Sequence, residues 1–153
     1  MCSRITQKVG DWRQVMAMRQ RLVLDVSELG TLALEFVVGV AAVIGGLLMI
    51  IQSDGRLLGM NPRMLGTAPF GDYLLPGILL VVLIGGAMLL SAYLTWAKAR
   101  TAHTISTLAG LLLILWVIIE YAYMGYWWLQ AVVGVIGLLI ISLALMDLAQ
   151  EGV

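Results

Sequence analysis

Residues 29–51, LGTLALEFVVGVAAVIGGLLMII, hold one charged side chain, Glu35, in 23 positions. At 1.5 Å per residue a helix of that length rises about 35 Å, enough to cross a hydrocarbon core about 30 Å thick. Three further stretches repeat the pattern: PGILLVVLIGGAMLLSAYLTW at 76–96, TISTLAGLLLILWVIIEYAY at 104–123 and LQAVVGVIGLLIISLALM at 129–146. None carries a charge in its central turns. Inside a bilayer every backbone N–H and C=O must be paired within the protein, which leaves helices or a closed barrel. Barrel strands are short and alternate apolar with polar residues, and these runs do not alternate. The expected fold is an all-α, four-helix transmembrane bundle.

Composition agrees. Of 153 residues, 61% are hydrophobic and 12% charged, whereas a soluble domain carries about 25% charged residues to cover its surface. Nine basic and nine acidic residues cancel, so overall charge names no partner, and no nucleic-acid partner is expected. Placement is more informative. Arg4, Lys8, Arg13, Arg19 and Arg21 precede the first span, and Lys98 and Arg100 lie between the second and third. The opposite side has only Arg56 and Arg63. Seven basic residues against two place the first side in the cytoplasm, with both termini inside. Tyr121, Tyr123, Tyr126, Trp127 and Trp128 then form an aromatic belt at the outer interface.

Residues 1–28 read as a cytoplasmic basic amphipathic segment, 29–146 as the transmembrane domain and 147–153 as a cytoplasmic tail. Trp12, Val15, Met16, Leu22, Val23 and Val26 fall near helical spacing, and residues 1–21 hold five basic side chains against Asp11. Such a helix can rest on anionic lipid, each basic residue near the surface contributing about 1 kcal/mol. The first outer loop, 52–73, mixes Leu57, Leu58, Met60, Met64 and Leu65 with glycines and prolines. A folded cap over the outer helix ends is expected there. The first apolar stretch follows a long polar lead without a small-residue cleavage pattern, so it reads as a retained span.

Chemistry-bearing residues are few. Glu120, near the outer end of the third span, shares a helical face with Trp116 and Tyr123. An acid at membrane depth is a functional candidate. Gln130, Asp72 and Tyr73 are expected near it, outlining a shallow outward-facing polar pocket. Glu35 lies about two turns inside the first span, where Lys98 or Arg100 is the expected partner. His103 is the one histidine and Cys2 the one cysteine. Metal and haem sites draw on several such ligands, so no cofactor or metal is expected, and His103 reads as a solvated loop or helix-end residue. Ser91, Ser106 and Ser142 lack a nucleophile elbow. Ala41-x-x-x-Gly45, Ala42-x-x-x-Gly46, Ala87-x-x-x-Ser91 and Ser106-x-x-x-Gly110 are stripes that allow close helix approach, within the bundle or in a homo-oligomer.

The run Gly45-Gly46-Leu47-Leu48, Asp54-Gly55, Leu58-Gly59-Met60, then Thr67-Ala68-Pro69-Phe70-Gly71-Asp72-Tyr73-Leu74-Leu75-Pro76-Gly77 resembles one found in small four-span bacterial inner-membrane proteins. The stretch Glu120 to Gln130 is similar to the same group. The resemblance covers about half the chain and implies a bacterial inner-membrane location. It brings no established activity, so no catalytic residue carries over. Quinone-linked disulfide-forming proteins share a four-helix core but need paired cysteines, which this chain lacks. The expected function is a non-enzymatic accessory or scaffold protein that binds a protein partner or lipid within the bilayer. The alternative is an oligomeric small transporter or channel using Glu120 and Glu35.

Overall fold

The computed structural model describes residues 2–56, 71–125 and 128–151, with the backbone alone at 2–25, 124 and 150–151. The described chain is helical, with no strand among the described residues. Helix α1 runs Cys2–Ile51, α2 spans Leu74–Trp96, α3 is Ala102–Met124 and α4 is Trp128–Glu151. Each contains a stretch long and apolar enough to cross a membrane: Val26–Ile51, Leu74–Trp96, Ala102–Tyr123 and Trp128–Ala149. These bounds fall within three residues of those read from hydropathy, because the charge-free core of each run sets the span. The basic lead is continuous with the first span in one helix. Its amphipathic face, most of the outer cap, and Tyr126 and Trp127 lie outside the described side chains.

The ends have local causes. Asp72 Oδ1 accepts the backbone N–H of Leu74 at 3.2 Å, and Pro76 sits in the first turn, where a missing N–H costs nothing. Gly125 closes α3 with φ +73, and its N–H bonds the Tyr121 carbonyl at 3.0 Å, the left-handed cap that glycine adopts without Cβ strain. The two ends of the loop between α1 and α2 meet where the Tyr73 N–H bonds the Ser53 carbonyl at 2.9 Å. Lys98 follows α2 with φ +51.

Successive helices are antiparallel neighbours, and α1 also packs on α4, closing the bundle. Its apolar middle is Val38 and Ala42 of α1, Ile84 and Met88 of α2, Ala109 and Leu113 of α3, and Ile140 of α4. The small-residue stripes serve this packing. Gly46 and Gly77 put α1 backbone against α2 backbone, and Gly110 sits against Gly137 of α4. Within α2, residues Leu80–Gly85 wind as a π-helix. Hydropathy gives no sign of it. Such a segment re-phases a helix face, here between Gly77 and Ser91, both of which are buried against neighbouring helices.

Candidate functional site

Below the apolar middle, towards the end of the bundle where α1 and α3 enter their spans and α2 and α4 leave theirs, the core turns polar. Ser27, Thr31 and Glu35 recur every four residues on α1, Ser91 and Thr95 every four on α2. All five are buried, as are Ser106 of α3 and Asp147 of α4. Four-residue spacing keeps side chains on one helical face, so each helix contributes a polar stripe to the same interior.

Glu35 is 0% exposed. Ser91 Oγ donates to its Oε1 at 2.7 Å and Thr95 Oγ1 to its Oε2 at 3.4 Å. Ser106 Oγ lies 3.1 Å from Ser91 Oγ and 3.4 Å from Thr95 Oγ1, completing the ring of hydroxyls. The expected ion pair to Lys98 or Arg100 is not what forms. Lys98 Nζ meets Glu28 Oε2 at 3.8 Å near the surface, where both groups reach water, and such an exposed pair contributes about 0–1 kcal/mol. Arg100 is exposed.

One layer nearer the helix ends, Ser27 Oγ donates to Asp147 Oδ1, and His103 Nδ1 lies 3.7 Å from Asp147 Oδ2. His103 precedes Ser106 by three residues on α3, so it sits about one turn below the Glu35 hydroxyl ring. Its side chain is 12% exposed and it lies in the first turn of α3, so of the two alternatives, solvated loop residue or helix-end group, the second is what forms, turned inward. Thr31 lies on α1 between the layers, 3% exposed, and its Oγ1 has no hydrogen-bond partner in the structure.

At the opposite end of the bundle, Trp116 Nε1 donates to Glu120 Oε1 at 2.7 Å, so two residues expected on one face of α3 meet. Tyr123 is exposed, Gln130 is buried near the start of α4, and Asp72 is exposed with an oxygen committed to capping α2. Tyr73 is wholly buried, and burial pushes its phenol above the usual tyrosine range. Tyr121, Tyr123 and Trp128 are exposed, as an interfacial aromatic belt requires.

The inner cluster is the richer of the two sites. Ser27, Thr31, Thr95 and Asp147 carry no signal in the sequence taken one helix at a time, and Ser91 and Ser106 stand out there only as packing residues or as serines without a nucleophile elbow. The signal that finds them is register: in an antiparallel bundle Ser27-Thr31-Glu35, Ser91-Thr95, His103-Ser106 and Asp147 all fall within about 12 Å of one another along the bundle axis, at the same end. Chemically the cluster can hold and pass a proton, or surround a small cation with oxygens. Among the described residues no three His, Cys, Asp or Glu side chains gather closely enough to hold a metal ion. No family model, curated protein or solved structure matches the chain.

Proposed function

We propose that this chain is a multi-pass protein of a bacterial inner membrane, with both termini cytoplasmic and the basic lead of α1 against the anionic leaflet. Within that membrane it handles a proton or small cation at Glu35, as a small transporter or channel that works as an oligomer. The observation that carries the reading is the setting of Glu35: wholly enclosed at membrane depth, ringed by three hydroxyls, with no Lys or Arg on its carboxyl among the described residues. A charge buried without compensation costs several kcal/mol. A carboxyl kept in such a place therefore either carries a proton or meets a cation, and intramembrane acids mark ion pathways for that reason. Glu120, bonded to Trp116 near the outer end, is the second pathway group.

Reconstituted protein tests this. Wild-type vesicles are expected to dissipate an imposed pH or sodium gradient faster than protein-free vesicles, E35Q to lose that activity and E120Q to lower it. Wild-type flux equal to that of empty vesicles, or E35Q flux equal to wild type, refutes the reading.

A second reading, an accessory or scaffold subunit that binds a protein partner or lipid, is favoured by the tight glycine seams. They seal α1 against α2 and α3 against α4, which leaves little room for a solute path inside one chain. In that reading the Glu35 ring fixes the register of the helices, and catalysis has no part. Finding the chain alone and monomeric in mild detergent counts against both readings.

A further inference from the structure

The two polar layers at the inner end belong together. Ser27, Thr31 and Glu35 climb α1 in two steps of four residues, about 6 Å each. The lower step is bonded to Asp147 and the upper step to Ser91 and Thr95. Thr31 stands on the step between, nearly inaccessible and unbonded. Buried polar atoms in native structures are nearly always paired, so an orphan hydroxyl asks for an explanation. Asp147 Oδ2 is a second buried oxygen with no hydrogen-bond partner, 3.7 Å from His103 Nδ1. His103, with 12% of its side chain exposed against 2% for Asp147, is the more accessible of the two.

Resting on the reading of Glu35 as an ion-handling group, we infer that its ligand is a proton and that this proton enters from the end carrying the chain termini, through His103 and Asp147 and then the Thr31 hydroxyl. Histidine changes charge between pH 5 and 8 and suits the mouth of such a route. A hydroxyl both donates and accepts. Thr31 Oγ1 bonds neither Asp147 nor Glu35 directly, so in this route a water on each side of it completes the chain. Thr31 takes a proton from the lower water while releasing its own to the upper one, which protonates Glu35. No bond other than O–H and N–H is made or broken, and the net step moves one proton from water to the carboxylate. Among the described residues, the charged and titratable groups at this end are Glu28 on α1, held by Lys98 after α2, the exposed Arg100, His103 on α3 and Asp147 on α4, and α2 offers the hydroxyls of Ser91 and Thr95. Apart from the exposed Lys98–Glu28 pair and Arg100, no fixed cation that would repel a proton stands on the route among the described residues.

The test uses infrared spectroscopy of the full chain in lipid. The acid carbonyl band of Glu35 is the one that E35Q removes, and its shift on changing to heavy water reports exchange of the Glu35 proton. Thr31→Val and Asp147→Asn are expected to slow that exchange at least about tenfold, or about 1.4 kcal/mol on the barrier. Thr31→Ser, which restores the hydroxyl, should exchange as wild type does. Ser142→Ala is the control, because Ser142 is exposed and its hydroxyl donates to Leu138 O within α4. A merely structural Thr31 would behave differently: its hydroxyl bonds nothing, so Val would be neutral or stabilising and exchange would be unchanged. Unchanged exchange in both variants overturns the route while the flux result for E35Q still stands or falls by itself. Absence of any acid band that E35Q removes also overturns it, since Glu35 would then hold a cation instead.

Discussion

Replacing Gly46 by alanine tests the backbone contact on which the α1–α2 pairing rests. A Cβ at 46 would stand 2.6 Å from the Gly77 carbonyl oxygen, 2.6 Å from Val81 Cγ2 and 3.1 Å from Val81 N. Ordinary contact begins at 3.4 Å, so the helices must part by about 0.8 Å (3.4 − 2.6) at this level. Val81 can rotate, but the Gly77 carbonyl is fixed in the helix and cannot yield alone. Overpacking of this kind costs about 1–3 kcal/mol, while alanine in place of glycine returns about 0.5–1 kcal/mol of helix propensity. Gly45→Ala isolates the packing term. Its Cβ would meet nothing nearer than Leu80 Cδ2 at 3.8 Å, so it collects the propensity gain without the clash. The two positions adjoin on one helix, the gain cancels between them, and G46A should be less stable than G45A by about 1–3 kcal/mol. Reversible unfolding in mixed micelles, titrated with SDS, reads this difference directly. Equal midpoints for the two variants would refute the close α1–α2 approach.

Two further outcomes follow. Burial raises the Tyr73 phenol above its usual value near 10, so the stability it contributes is complete below pH 10. That contribution is lost as pH rises towards the folded value, because the unfolded chain ionises first; Tyr73→Phe should flatten this alkaline loss in thermal unfolding, and an unchanged slope would contradict it. Cys2 is the sole cysteine, so an impermeant maleimide should label it in inverted vesicles and leave it unmodified in intact spheroplasts, whereas labelling from outside would reverse the assigned sidedness.

Hydropathy made the four spans legible because a bilayer demands long charge-free runs, and it located Leu74, Trp128 and the other boundaries to within a turn. The Trp116–Glu120 pair was equally legible, since both residues lie on one helix four apart. What single-helix reasoning missed depends on relations between helices. Ser91 and Ser106 look like packing residues until α2 and α3 are set side by side, and Asp147 looks like the start of a tail until α4 is seen to carry it back beside Ser27. The π-helical turn at Leu80–Gly85 has no signature in apolar content. His103 reads from sequence as either a loop residue or a helix-end group; it is the latter, and its inward turn towards Asp147 again depends on a neighbouring helix.

The choice of partner for Glu35 follows from depth. Lys98 stands three residues beyond Thr95, after α2 has ended, and its amine is largely exposed. Glu28 stands seven residues before Glu35, about 10 Å nearer the helix end. The ion pair therefore forms where water solvates both members and a long basic side chain can extend to the interface. Drawing Lys98 inward to Glu35 would desolvate an ammonium as well as a carboxylate, and the attraction gained rarely repays that cost. Serine and threonine hydroxyls are short, neutral and already on the facing turns of α2 and α3, so they satisfy the carboxyl at far smaller cost. This bears on the proposed ion-handling role: a permanent salt bridge would fix the charge of Glu35, whereas hydroxyls can bond the carboxyl with or without a proton.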